Sequence, residues 1–410
     1  MAYPRAVQGL VGLASVAGLV LFFAAGCRQC AEPAVAPPSP VAPPAEAPAA
    51  PVARAPIIDV HTHIASDAYP QALALADRNG VQRIVNLSGG HQARPEGFAR
   101  HLAAIGAWPG RVAVFYNLVW RAVNAAEFGP RMAEGLEDAV RQGYAGLKIP
   151  KVLGLGVVDL DGHFIAVDDA RFDPIWRKAG ELGVPVSIHT SDPKAFFEPL
   201  TPENERYEEL SAAPDWSFAD PKYPRRAALL AQRDRMIARH PDTTFILVHF
   251  ANNPEDLDDV ERVLTTYPNA LVDLSARIGE IGRHDPAKVR ALFVKFKDRI
   301  LFGTDMGVHL EAGPDGQEVM ALFLGSLSRT PPQPEDVDGF FAAHFAFLEQ
   351  DSAKVGEIPH PVPIQGPWKV RPIHLPPDVL QAVYHDNAYR VIFAPMFKRR
   401  GEADPVATPR

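Results

Sequence analysis

Ile57-Ile58-Asp59-Val60-His61-Thr62-His63 decides how this chain is read, because a short apolar, β-branched run ends there in two imidazoles two residues apart. On an extended chain, side chains alternate faces, so His61 and His63 converge on one point while Thr62 turns away. Two imidazoles at a strand end are half of a metal site. The remaining donors have to come from elsewhere in the chain.

C-terminal to this stretch, short apolar runs alternate with longer segments of helical periodicity, the pattern of parallel strands joined by crossover helices. The spacing predicts strands at 57–60, 81–87, 112–118, 145–149, 184–188, 244–248, 270–274 and 300–303, with helices that include 127–142, 174–182, 225–239, 254–266 and 286–297. Eight such units fit a (β/α)8 TIM barrel of class α/β. A doubly wound sheet is the alternative, and periodicity alone does not separate the two. Polar residues at the strand ends do: His61 and His63 follow the first run, Lys148 the fourth, His189 the fifth, His249 the sixth and Asp305 the eighth. In a barrel these ends meet at one mouth, whereas an open sheet would hold the first and eighth far apart. Long segments at 150–170, 190–224 and 306–376 leave from the mouth side, and Asp192, Phe196, Phe197, Tyr207 and Trp216 are candidates for pocket walls. A last helix over 377–393 is expected to close the barrel, and 396–410 reads as a C-terminal tail with Lys398-Arg399-Arg400 solvated.

The pair His61/His63 on the first strand, Lys148 on the fourth, His189 and His249 on the fifth and sixth and Asp305 on the eighth resemble the amidohydrolase superfamily of metal-dependent barrel enzymes, over roughly 57–393. Gly303-Thr304-Asp305 and the closing Tyr384-His385-Asp386-Asn387-Ala388-Tyr389-Arg390 resemble the amidohydrolase-related branch, which includes decarboxylases of the aminocarboxymuconate-semialdehyde type. The resemblance implies a divalent metal, zinc by expectation with manganese or a second metal left open, held by His61, His63, His189 and Asp305. It also implies that Asp305 acts as base and that His249 polarises a substrate carbonyl or holds the nucleophile. In binuclear members the fourth-strand lysine is carbamylated and bridges two metals. Lys148 stands in that place, or contacts an anionic substrate, or pairs with a carboxylate. Arg277 is the residue expected to grip a substrate carboxylate. Three functions compete: a hydrolase of a small-molecule amide, ester or lactone, a non-oxidative decarboxylase on the same residues, and a tethered binding protein without chemistry. Whether copies of the chain form a homo-oligomer is left open.

Composition sets outer limits. The 410 residues are 47% hydrophobic, enough for a large core. A net charge of -8 gives no long-range attraction for nucleic acid, and no Lys/Arg run suggests a phosphate-tracking groove. GxSxG and GxxxxGK[ST] are absent, and Gly154 and Gly156 lack the third glycine of a dinucleotide fingerprint. At the N-terminus, Arg5, an apolar run over 7–25 and Ala24-Ala25-Gly26-Cys27 resemble a lipoprotein leader with a lipobox, Ala24 standing where Leu is commonest. That predicts a leader over 1–26, export to the bacterial cell envelope, lipid anchoring at Cys27 and no other membrane contact. The Pro/Ala/Val-rich 27–56 reads as an extended tether, and 57–395 as the catalytic domain. No cysteine follows Cys30, so disulfides do not brace the folded part.

Overall fold

Eight parallel strands follow one another around the sheet: β1 (Ile57–Ile64), β2 (Val81–Asn86), β3 (Val112–Asn117), β4 (Gly146–Ile149), β5 (Val186–Ile188), β6 (Phe245–Leu247), β7 (Ala270–Asp273) and β8 (Ile300–Leu301). Helices α1 (Tyr69–Arg78), α2 (Pro95–Ala107), α3 (Phe128–Arg141), α4 (Asp173–Leu182), α5 (Arg226–Arg239), α6 (Leu257–Thr266) and α7 (Pro286–Lys295) make the seven crossovers. This computed structural model describes residues 55–313 and 315–406. The expected leader, the expected tether up to residue 54 and residues 407–410 lie outside the described residues. Among the described residues, no helix is long and apolar enough to cross a membrane.

The barrel closes where β8 returns to β1. Val60 N–H donates to Phe302 C=O at 3.0 Å and Asp305 N–H donates to His61 C=O at 2.8 Å. Past Asp305 the chain continues as β9 (Met306–Ala312), parallel to β1, and folds back as β10 (Glu318–Leu324). This hairpin falls within the long segment expected over 306–376. Its turn has Gly316 at φ +74°, a conformation only glycine adopts without steric cost. Helix α8 (Pro334–Glu349) follows, burying Phe340, Phe341, Phe345 and Phe347 in the shell between sheet and helices.

The barrel interior holds Ile58, Val60, Val85, Ala113, Phe115, Ile246, Leu271 and Leu301, and its floor is the C-terminal helix, which inserts Ala388, Ile392, Phe393, Met396 and Phe397 among them. That helix runs over 377–400 with two π-helical turns, Ala382–Asp386 and Tyr389–Phe393. The second turn directly precedes Pro395, whose ring and missing N–H a regular i to i−4 ladder would not accommodate. The tail expected from 396 is therefore corrected: Met396 and Phe397 are core residues, and Asp404 accepts from buried Arg83 at 2.7 Å. Arg83, ringed by Tyr389, Phe393 and Phe397, needs that carboxylate to be tolerable inside.

Candidate metal centre

Strand β1 carries a defect that makes the site. Ile58 and Val60 point into the barrel and Ile57 and Ile64 out towards the helices, so strict alternation would turn His61 and His63 outward. A register shift between Asp59 and Thr62 reverses the parity, as bulges beside active sites do. Both histidines then face inward, with ring centroids 5.3 Å apart. Opposite them stands Asp305, at φ +67°, which breaks β8 from β9 and brings its Oδ1 to 3.3 Å from Nε2 of His61 and of His63. Asp59, behind the bulge, accepts from His61 N–H (3.0 Å) and from Thr304 Oγ1 (2.6 Å). Its burial pushes the carboxyl up to about 7 against these donors.

Two residues outside the expected site set the histidines. Asp273, at the end of β7, accepts at Oδ2 from His61 Nδ1 (2.9 Å) and at Oδ1 from His249 N–H (2.8 Å) and Ser275 Oγ (2.6 Å). Ser88, after β2, meets His63 Nδ1 at 2.7 Å. Asp273 lies at a strand end like the other site residues, and that position is its signal in the sequence. Burial raises its carboxyl, opposed by Ser275, His249 and Lys148. Replacing Asp273 with Asn should weaken divalent-metal affinity about 10- to 100-fold, because the imidazole it orients loses its charged acceptor. Competition titration with a chromophoric chelator measures this, and unchanged affinity would remove Asp273 from the centre.

His249 leaves β6 in left-handed backbone, as do Phe250, Ala251 and Asn252, with φ of 56, 55, 59 and 52°. Four such residues in a row cost about 1–2 kcal/mol each. Asp273 holds the first through its N–H, and Arg233, fully buried, donates to the carbonyl of Ala251. His249 Nδ1 donates to Ser275 C=O at 2.8 Å, which leaves a lone pair on Nε2. Its ring centroid lies 5.0 Å from that of His61 and 4.4 Å from that of His189. Burial, then His189, Arg277, His61 and Lys148, keep it neutral, well below the usual imidazole range.

The other expected site residues divide. His189 lies beside His249 but outside the close group of His61, His63 and Asp305, and its Nε2 faces Asp192 Oδ1 at 3.2 Å. Asp192, expected at a pocket wall, instead commits its second oxygen to Lys151 Nζ at 2.6 Å, among the rings of Phe196, Trp216 and Phe218. It holds protein groups in place rather than presenting a free carboxylate. Burial would raise that carboxyl, but Lys151 and His189 hold it below the usual range. Lys148 is buried and its Nζ has no hydrogen-bond partner and no paired carboxylate among the described residues; burial, opposed by Asp273 and Asp305, lowers it to about 8. Arg277, 6% exposed, donates from Nη1 to its neighbour's carbonyl at 2.8 Å, has no partner at Nε and forms no ion pair among the described residues.

The donors fit a divalent metal. With Nδ1 donating to Asp273, His61 turns the lone pair of a buried, unpartnered Nε2 on Asp305 Oδ1. Burial and Lys148 hold His61 well below the usual imidazole range against the pull of Asp305. Burial would raise Asp305, but His61, His63 and Lys148 overcome it and keep the carboxylate ionised. A neutral imidazole lone pair facing a carboxylate oxygen is repulsive until a cation stands between them, and two imidazole nitrogens with one carboxylate oxygen are a transition-metal donor set. A second group, His61, His249 and Asp273, is also close, but there the His61 ring and the His249 backbone N–H approach the carboxylate as hydrogen-bond donors, and the His249 ring donates from Nδ1 to Ser275 C=O.

A TIM barrel with this donor set at its C-terminal mouth defines the class, barrel enzymes that work through a divalent metal. The family model for amidohydrolases matches residues 58–393, and the chain belongs to that metal-dependent family. Among curated proteins none matches. Among solved structures the chain is similar to 4-oxalomesaconate hydratase from Rhodopseudomonas palustris (13% identity, 84% of this chain and 98% of that one, TM-score 0.47). It is also similar to 5-carboxyvanillate decarboxylase from Novosphingobium aromaticivorans, complexed with manganese (12%, 82% and 96%, TM-score 0.45). A third is 2,6-dihydroxybenzoate decarboxylase from Rhizobium (16%, 61% and 88%, TM-score 0.40).

Proposed function

We propose that the chain is a metal-dependent hydrolase that cleaves an amide, ester or lactone of a small anionic molecule. The observation that carries this is the meeting of His61, His63 and Asp305, with His249 beside them as a neutral imidazole whose Nε2 keeps its lone pair. His61, His63 and Asp305 would hold the ion, with His189 as the further donor; zinc is our choice and one metal is enough. When bound, such an ion supplies a Lewis acid and lowers the pKa of a water from about 15.7 to about 7. Asp305, held ionised by its neighbours, takes the proton of the attacking water. His249 accepts a hydrogen bond at Nε2 and keeps the nucleophile aimed. Arg277, buried without an acidic partner among the described residues, binds a substrate carboxylate through the free side of its guanidinium.

A second reading, non-oxidative decarboxylation, is favoured by one observation: both Lys148 and Arg277 are buried cations without a carboxylate partner among the described residues. Such a pair suits a substrate carboxylate held as the reacting group. Metal-stripped protein reloaded with zinc or manganese and offered a panel of acids, lactones, amides and esters separates the readings. Hydrolysis consumes water and incorporates 18O from solvent, whereas carbon dioxide release without 18O uptake would overturn the hydrolase in favour of the lyase. Tight metal binding with no turnover of the panel would leave the tethered binding protein.

A further inference from the structure

Ladder pairing between β5 and β6 ends at Ile188↔Leu247, one residue short of His189 and two short of His249. What holds the two histidine-bearing ends together beyond that register is side-chain chemistry centred on Asn252. Asn252 is 2% exposed and ends the left-handed turn at φ 52°, ψ 24°. Its carboxamide reaches out of the turn. Oδ1 accepts from Thr190 N–H at 3.0 Å and Nδ2 donates to Ser191 C=O at 2.7 Å, the two residues that follow His189. Arg226, at the start of α5, doubles the connection, donating from Nε to Asp192 C=O at 2.9 Å and from Nη2 to Asn252 C=O at 2.7 Å. The His189 and His249 rings meet edge to face at 4.4 Å as a result.

We propose that Asn252 is a positioning residue of the metal centre, whose carboxamide locks the β5 end to the β6 turn and so fixes His189 against His249. Asparagine is among the few side chains that tolerate left-handed backbone, so its presence alone has a simpler explanation, and substitutions must separate the backbone from the carboxamide. Asn252→Gly does so, because glycine takes φ +52° freely and brings no side chain. Asn252→Asp keeps the acceptor for Thr190 N–H but sets an oxygen against Ser191 C=O.

The part of the proposal that concerns metal rests on His189 being a donor; the part that concerns ring placement does not. Metal-free full chain is titrated with Zn2+ against a chromophoric chelator, and the Asn252→Gly protein is crystallised. Val289→Ala, on the buried face of α7 and outside the residues named in the centre, serves as a control for lost stability. The expected result is zinc affinity about tenfold weaker or more in both Asn252 variants, unchanged affinity in the control despite a lower Tm, and His189 and His249 rings moved from their 4.4 Å contact in the glycine variant. Wild-type zinc affinity in Asn252→Gly together with unmoved rings overturns the proposal. If the glycine variant does not fold, the aspartate variant decides by the same affinity measurement. If the wild-type chain binds no zinc, the functional reading fails by itself, and ring displacement alone then decides for or against Asn252.

Discussion

Asp305→Asn should remove turnover almost entirely, by about 10²- to 10⁴-fold, and weaken metal binding in the same protein. The substitution is chosen for its backbone. Asp305 sits at φ +67° where the eighth strand breaks, and Asn is one of the few residues that tolerate this region, so the barrel closure through Asp305 N–H and His61 C=O should survive. Alanine there would confound chemistry with backbone strain. What changes is the charge that faces His61 and His63 Nε2, both 3.3 Å from Oδ1, and the base that takes the proton. Because an amide can still offer one neutral oxygen to the ion, metal affinity should fall less steeply than kcat. Measured at saturating metal, kcat should therefore stay low. Recovery of kcat to near wild type at high metal would show Asp305 to be a ligand only and would remove its role as base.

The barrel and much of its mouth were legible because they rest on local chemistry. β-branched runs make strands, strand ends carry polar residues, and His61, His63, His249 and Asp305 lie at those ends. What the sequence hid depends on partners far along the chain. The bulge in β1 cannot be read from alternation, since Val60 and His61 are adjacent yet both face inward. Asp273 was visible as a strand-end acid, but its work on His61 and His249 is a contact across the barrel, 212 and 24 residues away. Asp192 looked like a wall residue because nothing in its neighbours showed that Lys151 and His189 would take both oxygens. The floor was half legible. A closing helix was expected, but its extension through Met396 and Phe397 follows from the π-helical turn that admits Pro395, and no period-3.6 pattern shows such a turn.

Replacing Lys148 with Met should make the metal-free protein more stable at pH 7, by about 3 kcal/mol, and the gain should vanish in alkali. Burial lowers the Lys148 ammonium to about 8, against the opposing pull of Asp273 and Asp305, while in the unfolded chain it titrates near 10.5. Each unit of difference is worth about 1.4 kcal/mol. Below pH 8 both states carry the proton and the folded state bears the full cost of a buried, unpartnered charge. Between pH 8 and 10.5 the unfolded chain binds a proton that the folded chain has released, so wild-type stability rises with pH across that window and the variant loses its advantage. Methionine keeps the apolar stem of the side chain, so packing changes little. Urea unfolding of both proteins from pH 7 to 11 measures the gap; a gap that does not narrow, or a variant less stable at pH 7, defeats the account. The same substitution should impair turnover of an anionic substrate, because a cation buried at a cost to folding, beside a metal centre and without a partner of its own, has its counter-charge in what the site binds.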